Sequence, residues 1–307
     1  MILIAFAAAA LAVEGRSARG SDLPAGLGHF VFRDEQGLPE RPIKVWYYRP
    51  LALAPTGRVI FVMHGSSRSA RRYLAPWVAP AMEHGFLVLC PEFSREYYPA
   101  RRQYRYGNVT ARDGRRCPTN EWTFTAVERL FDEVRRRTGL RTQRYGIYGH
   151  SAGAQFVHRF VMHLPEAHFD TAVAANAGVY LMPSFDYTYP YGLADAGIPV
   201  PRIKRALGRK LFILLGTSDT APRDRFRFWR AQPRREGRHR LARGLRFIAE
   251  ADLLSEDLGT PPAWHPRLVI GAGHSNAAMT PAAVRLLTRA ESRAAWREEC
   301  RRDTASE

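Results

Sequence analysis

The sequence predicts an α/β fold, a mostly parallel central sheet with helices on both faces. Three observations predict it. Short, continuously apolar runs recur, among them Val59–Met63, Phe86–Cys90 and Leu211–Leu215, as strands buried on both faces of a sheet require, and Thr171–Ala175 reads as a further strand. Apolar residues at helical spacing alternate with them: Phe124, Val127, Leu130, Phe131 and Val134, then Phe156, Val157, Phe160, Val161 and Leu164. Between one such strand and one such helix stands Gly149-His150-Ser151-Ala152-Gly153, a G-x-S-x-G turn that places a serine at a strand-to-helix elbow. Alternating strands and helices imply parallel neighbours joined by crossovers.

Each element has its own signal. Segments 29–33 and 43–48 are rich in β-formers and joined by Gln36-Gly37-Leu38-Pro39, so they are expected to pair antiparallel. After the strand 59–63, Tyr73, Trp77 and Ala81 share a helical face, Pro76 and Pro80 shorten or kink it, and Gly85 ends it. Asn120 is the expected cap of the next helix. The elbow strand covers 144–148, and its helix carries the stripe beginning at Phe156. Leu241, Leu245 and Ile248 are expected to face the core from a later helix. Residues 267–270 form the last strand, and a final helix runs from about Pro281. Two long irregular segments, 91–117 and 183–209, are rich in tyrosine. They are expected to cover the carboxyl end of the sheet, with the tyrosines either lining a cleft or packing the loops onto the body. Residues 21–307 are expected to form a single domain.

Composition bounds the function. The net charge is +17 at 307 residues, and Lys44, Lys204 and Lys210 are the only lysines, so arginine carries the excess. The plain reading is an arginine-rich solvated surface; the sharper one is a footprint for an acidic partner. Segment 223–243 interleaves arginine with Phe226, Phe228 and Trp229. Such a run can bind single-stranded nucleic acid, but a solvated helix face with core anchors is the favoured reading. The apolar start, residues 1–13, is too short to span a bilayer. With Ala10-Leu11-Ala12 as a small-x-small site, residues 1–20 read as an export signal or a leader, and an exported protein is expected. No basic residue precedes the run. Of Cys90, Cys117 and Cys300, Cys90 reads as a buried small hydrophobe, and whether the other two pair is open. His158, His163 and His168 are five apart and do not share a helix face, so no metal is expected.

Ligands in open α/β sheets bind beyond the carboxyl ends of the strands. Four strand ends carry useful chemistry here: His64-Gly65-Ser66, Ser151, Asp219 and His274. The order Ser…Asp…His matches a nucleophile–acid–base set on this architecture. Asp186 is an alternative acid, and His265 and His239 are rival histidines.

On the elbow, the His64-Gly65 turn, Gly216-x-x-Asp219 and Gly273-His274, the chain resembles the α/β-hydrolase superfamily over roughly 58–274. With Ala175-Asn176-Ala177-Gly178 it resembles, within that superfamily, secreted serine esterases of the poly(3-hydroxybutyrate) depolymerase and feruloyl esterase type. It lacks the His-Gly-Gly-Gly motif of many lipases. The expected activity is hydrolysis of a small or polymeric carboxylic ester through an acyl-enzyme, without metal or cofactor. Ser151 would be the nucleophile, His274 its base and Asp219 the orienting acid. The backbone N–H groups of Ser66 and Ala152 would hold the oxyanion. Thioesterase, peptidase and acyltransferase chemistry would use the same residues, and a polyanion-binding protein on an inactive hydrolase scaffold is the rival class.

Overall fold

The computed structural model describes residues 23–221 and 236–288. The leader 1–20, Cys300 and most of the basic run 223–243 lie outside the described residues. An eight-stranded sheet with order β1-β2-β4-β3-β5-β6-β7-β8 organises them. Its strands are β1 (Gly26–Phe32), β2 (Ile43–Arg49), β3 (Val59–Met63), β4 (Leu87–Glu92), β5 (Tyr145–His150), β6 (Phe169–Ala175), β7 (Leu211–Gly216) and β8 (Trp264–Val269). Strand β2 pairs antiparallel with both β1 and β4, and β4, β3, β5, β6, β7 and β8 are mutually parallel. This is the mostly parallel α/β sheet that the sequence predicts.

Helices cover both faces. Helices α1 (Ala70–Leu74), α2 (Val78–His84) and α8 (Asn276–Thr288) lie on one side. Helices α4 (Thr123–Thr138), α5 (Ala152–His163), α6 (Val200–Leu207) and α7 (Arg240–Asp257) lie on the other, with the four-residue α3 (Arg101–Tyr104) in the loop after β4. Strand β3 explains why its sequence is uninterrupted hydrocarbon. Val59, Phe61 and Met63 enter one core, while Ile60 and Val62 enter the other. All five are fully buried, as the period-two alternation of a covered strand demands.

Several local expectations are corrected. Asn120 does not cap α4. It sits in a 3-10 turn, Trp122 occupies the cap position, and the Asn120 amide donates to the Gln36 carbonyl at 3.0 Å. Leu245 is exposed; α7 instead buries Gly244, Phe247, Ile248, Ala251 and Leu254. Segment 183–209 contains α6 and is not wholly irregular. The last helix begins at Asn276, so Pro281 lies inside it. The tyrosines of the two long loops serve mainly as packing: Tyr98, Tyr104 and Tyr187 are buried in the core.

Strand order positions the site. From β3 the chain moves outward to β4, then returns to place β5 on the other side of β3. The carboxyl ends of β3 and β5 therefore flank the switch point, where a crevice opens. The pairings Met63–Gly149, His150–Ala175, Ala175–Leu214 and Gly216–Val269 bring the ends of β3, β5, β6, β7 and β8 to one rim.

Candidate active site

The elbow is forced by backbone proximity. A Cβ at Gly149 would overlap the Gly153 carbonyl, and one at Gly153 would overlap the Met63 carbonyl at the end of β3. Ser151 is held at φ 60° and ψ −108°, a conformation that costs about 1–3 kcal/mol in a non-glycine residue. Its N–H donates to the Ala175 carbonyl at 2.9 Å, which anchors the turn to β6. The Ser151 hydroxyl does not cap α5 and is directed to His274 instead. Gly153→Ala is expected to lower stability by about 3 kcal/mol and to abolish turnover, because the colliding atom is backbone. Thermal unfolding beside an activity assay checks this.

The structure brings together three of the residues singled out in the sequence. His274 Nε2 lies 3.0 Å from Ser151 Oγ, and His274 Nδ1 lies 2.7 Å from Asp219 Oδ2. Asp219 is 2% exposed. Burial alone would push its carboxyl up, but the His274 hydrogen bond and charge, with Arg240, outweigh it and hold the group below its ordinary value. The rivals lie elsewhere. His265 is the second residue of β8, near the amino-terminal end of the strand. His239 caps α7 by accepting from the Ala242 N–H, and Asp186 occupies an exposed turn. His150 packs beside the site, its ring 4.7 Å from that of His274. Burial first, then the neighbouring His274, pushes its pKa down to about 3, so it stays neutral at working pH.

The turn after β3 abuts the elbow, since the Cβ position of Gly153 lies 3.0 Å from the His64 carbonyl. Helix geometry leaves the Ala152 N–H without an intrahelical acceptor. Ser66 is an exposed residue of that neighbouring turn. His64 itself is structural. Its Nε2 accepts from the Phe93 N–H at 3.1 Å, so the proton sits on Nδ1, 3.0 Å from the Gly65 carbonyl. Burial holds its pKa at about 3. The imidazole thus welds the β3 turn to the end of β4.

Two positioning residues were not singled out from the sequence. Asn176, at φ 50°, directly follows β6. Its Oδ1 accepts from the Gly216 N–H at 2.9 Å, and its Nδ2 donates to the Gly273 carbonyl at 3.2 Å. One amide thereby ties the acid loop to the histidine loop. Arg240 donates to Asp219 Oδ1 at 2.7 Å, opposite the oxygen that faces His274. Asn176 had a usable signal in its place immediately after a strand; Arg240 was hidden within a basic run. Arg240→Gln removes a cation that helps hold the Asp219 carboxyl below its ordinary value, so that carboxyl should take up its proton at a higher pH than in the parent. Acid unfolding of the variant is therefore expected to begin at higher pH, and thermal melting followed against pH checks it.

Among the described residues, no group of three or more His, Cys, Asp or Glu is placed to hold a metal ion. No helix of those residues is long and apolar enough to cross a membrane.

Fold and rim geometry define a class, and comparison with known proteins bears on it. No protein-family model matches the chain, and no curated protein matches it. Among solved structures it is similar to poly(aspartic acid) hydrolase-1 from Sphingomonas sp. KT-1, with 40% identity and a TM-score of 0.83, over 87% of this chain and 100% of that one. It is also similar to LpqC, a poly(3-hydroxybutyrate) depolymerase from Bordetella parapertussis, with 30% identity and a TM-score of 0.82, over 88% and 92% of the two chains. The S-formylglutathione hydrolase FrmB from Staphylococcus aureus shares the fold, at 16% identity and a TM-score of 0.53 over 86% and 97% of the two chains. The protein is an α/β-hydrolase. Within that superfamily the chain belongs to the family of poly(3-hydroxybutyrate) depolymerase-like serine hydrolases.

Proposed function

We propose that the protein cleaves carboxylic esters through an acyl-enzyme, with Ser151 as nucleophile, His274 as general base and acid, and Asp219 as the orienting carboxylate. The observation that carries this reading is the continuous relay from Ser151 Oγ to His274 at 3.0 Å and on to Asp219 at 2.7 Å. A serine hydroxyl is a weak nucleophile at neutral pH and needs a base at this distance. As Oγ attacks the carbonyl carbon, its proton passes to His274 Nε2. Asp219 stabilises the imidazolium and fixes the tautomer with the proton on Nδ1. The carbonyl oxygen becomes an oxyanion facing the Ser66 and Ala152 N–H groups, each worth about 3 kcal/mol in the transition state. Collapse breaks the C–O bond, and the departing alkoxide takes the proton from Nε2. Water then repeats the sequence on the acyl-enzyme, releasing the acid and restoring Ser151.

A second reading has its own support. The 40% identical relative is a poly(aspartic acid) hydrolase, and this chain carries a net charge of +17. The same relay would then cleave amide bonds of an acidic polymer. Assay of p-nitrophenyl esters of graded chain length, beside poly(aspartic acid), separates the two. Turnover of the esters alone supports the first reading; release of new amines from the polymer supports the second.

A further inference from the structure

We propose that Arg68, Arg95 and Arg105 form a subsite beside the oxyanion turn that takes a carboxylate carried by the substrate. This assignment rests on the ester-hydrolase reading above and names the substrate class that reading leaves open.

Geometry ties Arg95 and Arg68 to the site, and Arg105 directly follows Tyr104 in the chain. The Arg95 guanidinium donates to the carbonyl of Ser66 at 2.9 Å, on the residue whose N–H is assigned to the oxyanion. Both residues are exposed, so the cation stands at the open mouth of the turn. Arg68 follows two residues later, in a left-handed conformation at φ 65°. Its guanidinium lies 4.3 Å from the centre of the Tyr104 ring and donates through Nη2 to the Tyr98 carbonyl at 2.9 Å. The Tyr104 hydroxyl in turn donates to the His64 carbonyl at 2.5 Å, the same carbonyl that lies against Gly153 of the elbow. One aromatic ring therefore separates Arg68 from the backbone that shapes the oxyanion turn.

The electrostatics lack a counterpart. Arg68 is 8% exposed, and its Nη1 is buried without a hydrogen-bond partner. Burial first, then its charged neighbours Arg105 and Arg95, lower its pKa to about 10. Half-buried Arg105 likewise faces Arg101 and Arg159. Among the described residues no carboxylate pairs with Arg68, Arg95 or Arg105. Holding like charges together in a partly desolvated place costs energy, and a bound anion relieves it. The planar guanidinium fork fits a carboxylate through paired hydrogen bonds. The overall positive charge would draw such a substrate toward this mouth.

The test compares two esters of equal acyl length, p-nitrophenyl hexanoate and the mono-p-nitrophenyl ester of adipic acid, which adds one terminal carboxylate. The readout is the ratio of kcat/KM for the acidic over the neutral ester. We expect this ratio to exceed about tenfold in the parent protein, to fall with added salt, and to drop by about tenfold or more in Arg95→Gln/Arg105→Gln. A parent ratio near one, or a ratio unchanged in the double variant, overturns the subsite and leaves the hydrolase reading standing. Failure of the parent to turn over either ester strikes the ester-hydrolase reading instead. Binding then decides the subsite independently. Fluorescein-labelled hexa-aspartate should bind Ser151→Ala more tightly than hexa-asparagine does, and lose that preference when the two arginine changes are added. Equal affinity for both peptides overturns the proposal.

Discussion

Ser151→Ala is expected to lower kcat for a p-nitrophenyl ester by about a million-fold while leaving KM within a few-fold. Alanine keeps the elbow backbone, and its Cβ adds nothing that serine lacks, so folding should be unaffected. What disappears is the hydroxyl that lies 3.0 Å from His274 Nε2 and is proposed to form the acyl bond. The proposed oxyanion donors, the Ser66 and Ala152 N–H groups, are untouched, so catalysis should fall to the residual level that preorganised N–H groups sustain, about 10³- to 10⁴-fold over water. Stopped-flow release of p-nitrophenol makes the result unambiguous, because the burst that marks an acyl-enzyme should vanish with the steady-state rate. Unchanged turnover would exclude Ser151 as the nucleophile.

Asp219→Asn should lower kcat by about 10⁴-fold, whereas Asp186→Asn should leave it within about twofold. The carboxylate of Asp219 accepts two charge-assisted hydrogen bonds, one from His274 and one from Arg240, each at 2.7 Å. An amide there can present a donor to Nδ1, which moves the imidazole proton to Nε2 and points it at Ser151. The base is then in the wrong tautomer. The same change leaves Arg240, largely buried, without its counter-charge, so a loss of about 3 kcal/mol in stability is expected as well. Kinetics and thermal melting on both variants check this, and loss of activity in Asp186→Asn alone would reassign the acid.

Much of this was legible in the chain itself. The inner strands of the sheet are legible because hydrocarbon buried on two faces leaves no polar positions, as in Val59–Met63; the edge strand, expected at 267–270, instead runs Trp264–Val269 and takes in His265, Pro266 and Arg267, because an edge strand need not be hydrocarbon throughout. The elbow is legible because its two glycines are required by backbone contacts on either side. Ser151, Asp219 and His274 are legible because each follows a strand at the same end of the sheet. Less visible were features set by tertiary partners. Asn120 is a good cap by type, yet its side chain is drawn to the Gln36 carbonyl. Leu245 has the right spacing for the core face, but the packed stripe of α7 is centred on Phe247 and Ala251. Arg240 looks like one more surface arginine until the acid loop is folded against it. Tyr104 and Arg68 gain their meaning only when the loop after β4 lies over the turn after β3.

The double attachment of Asn176 gives the acid loop and the histidine loop a common fate. Gly216 and Gly273 are held by opposite ends of a single side-chain amide, so displacing that group releases both loops in the same event. Mild heat or denaturant should accordingly disturb the two loops together, with no form in which one of them keeps its place while the other has lost it.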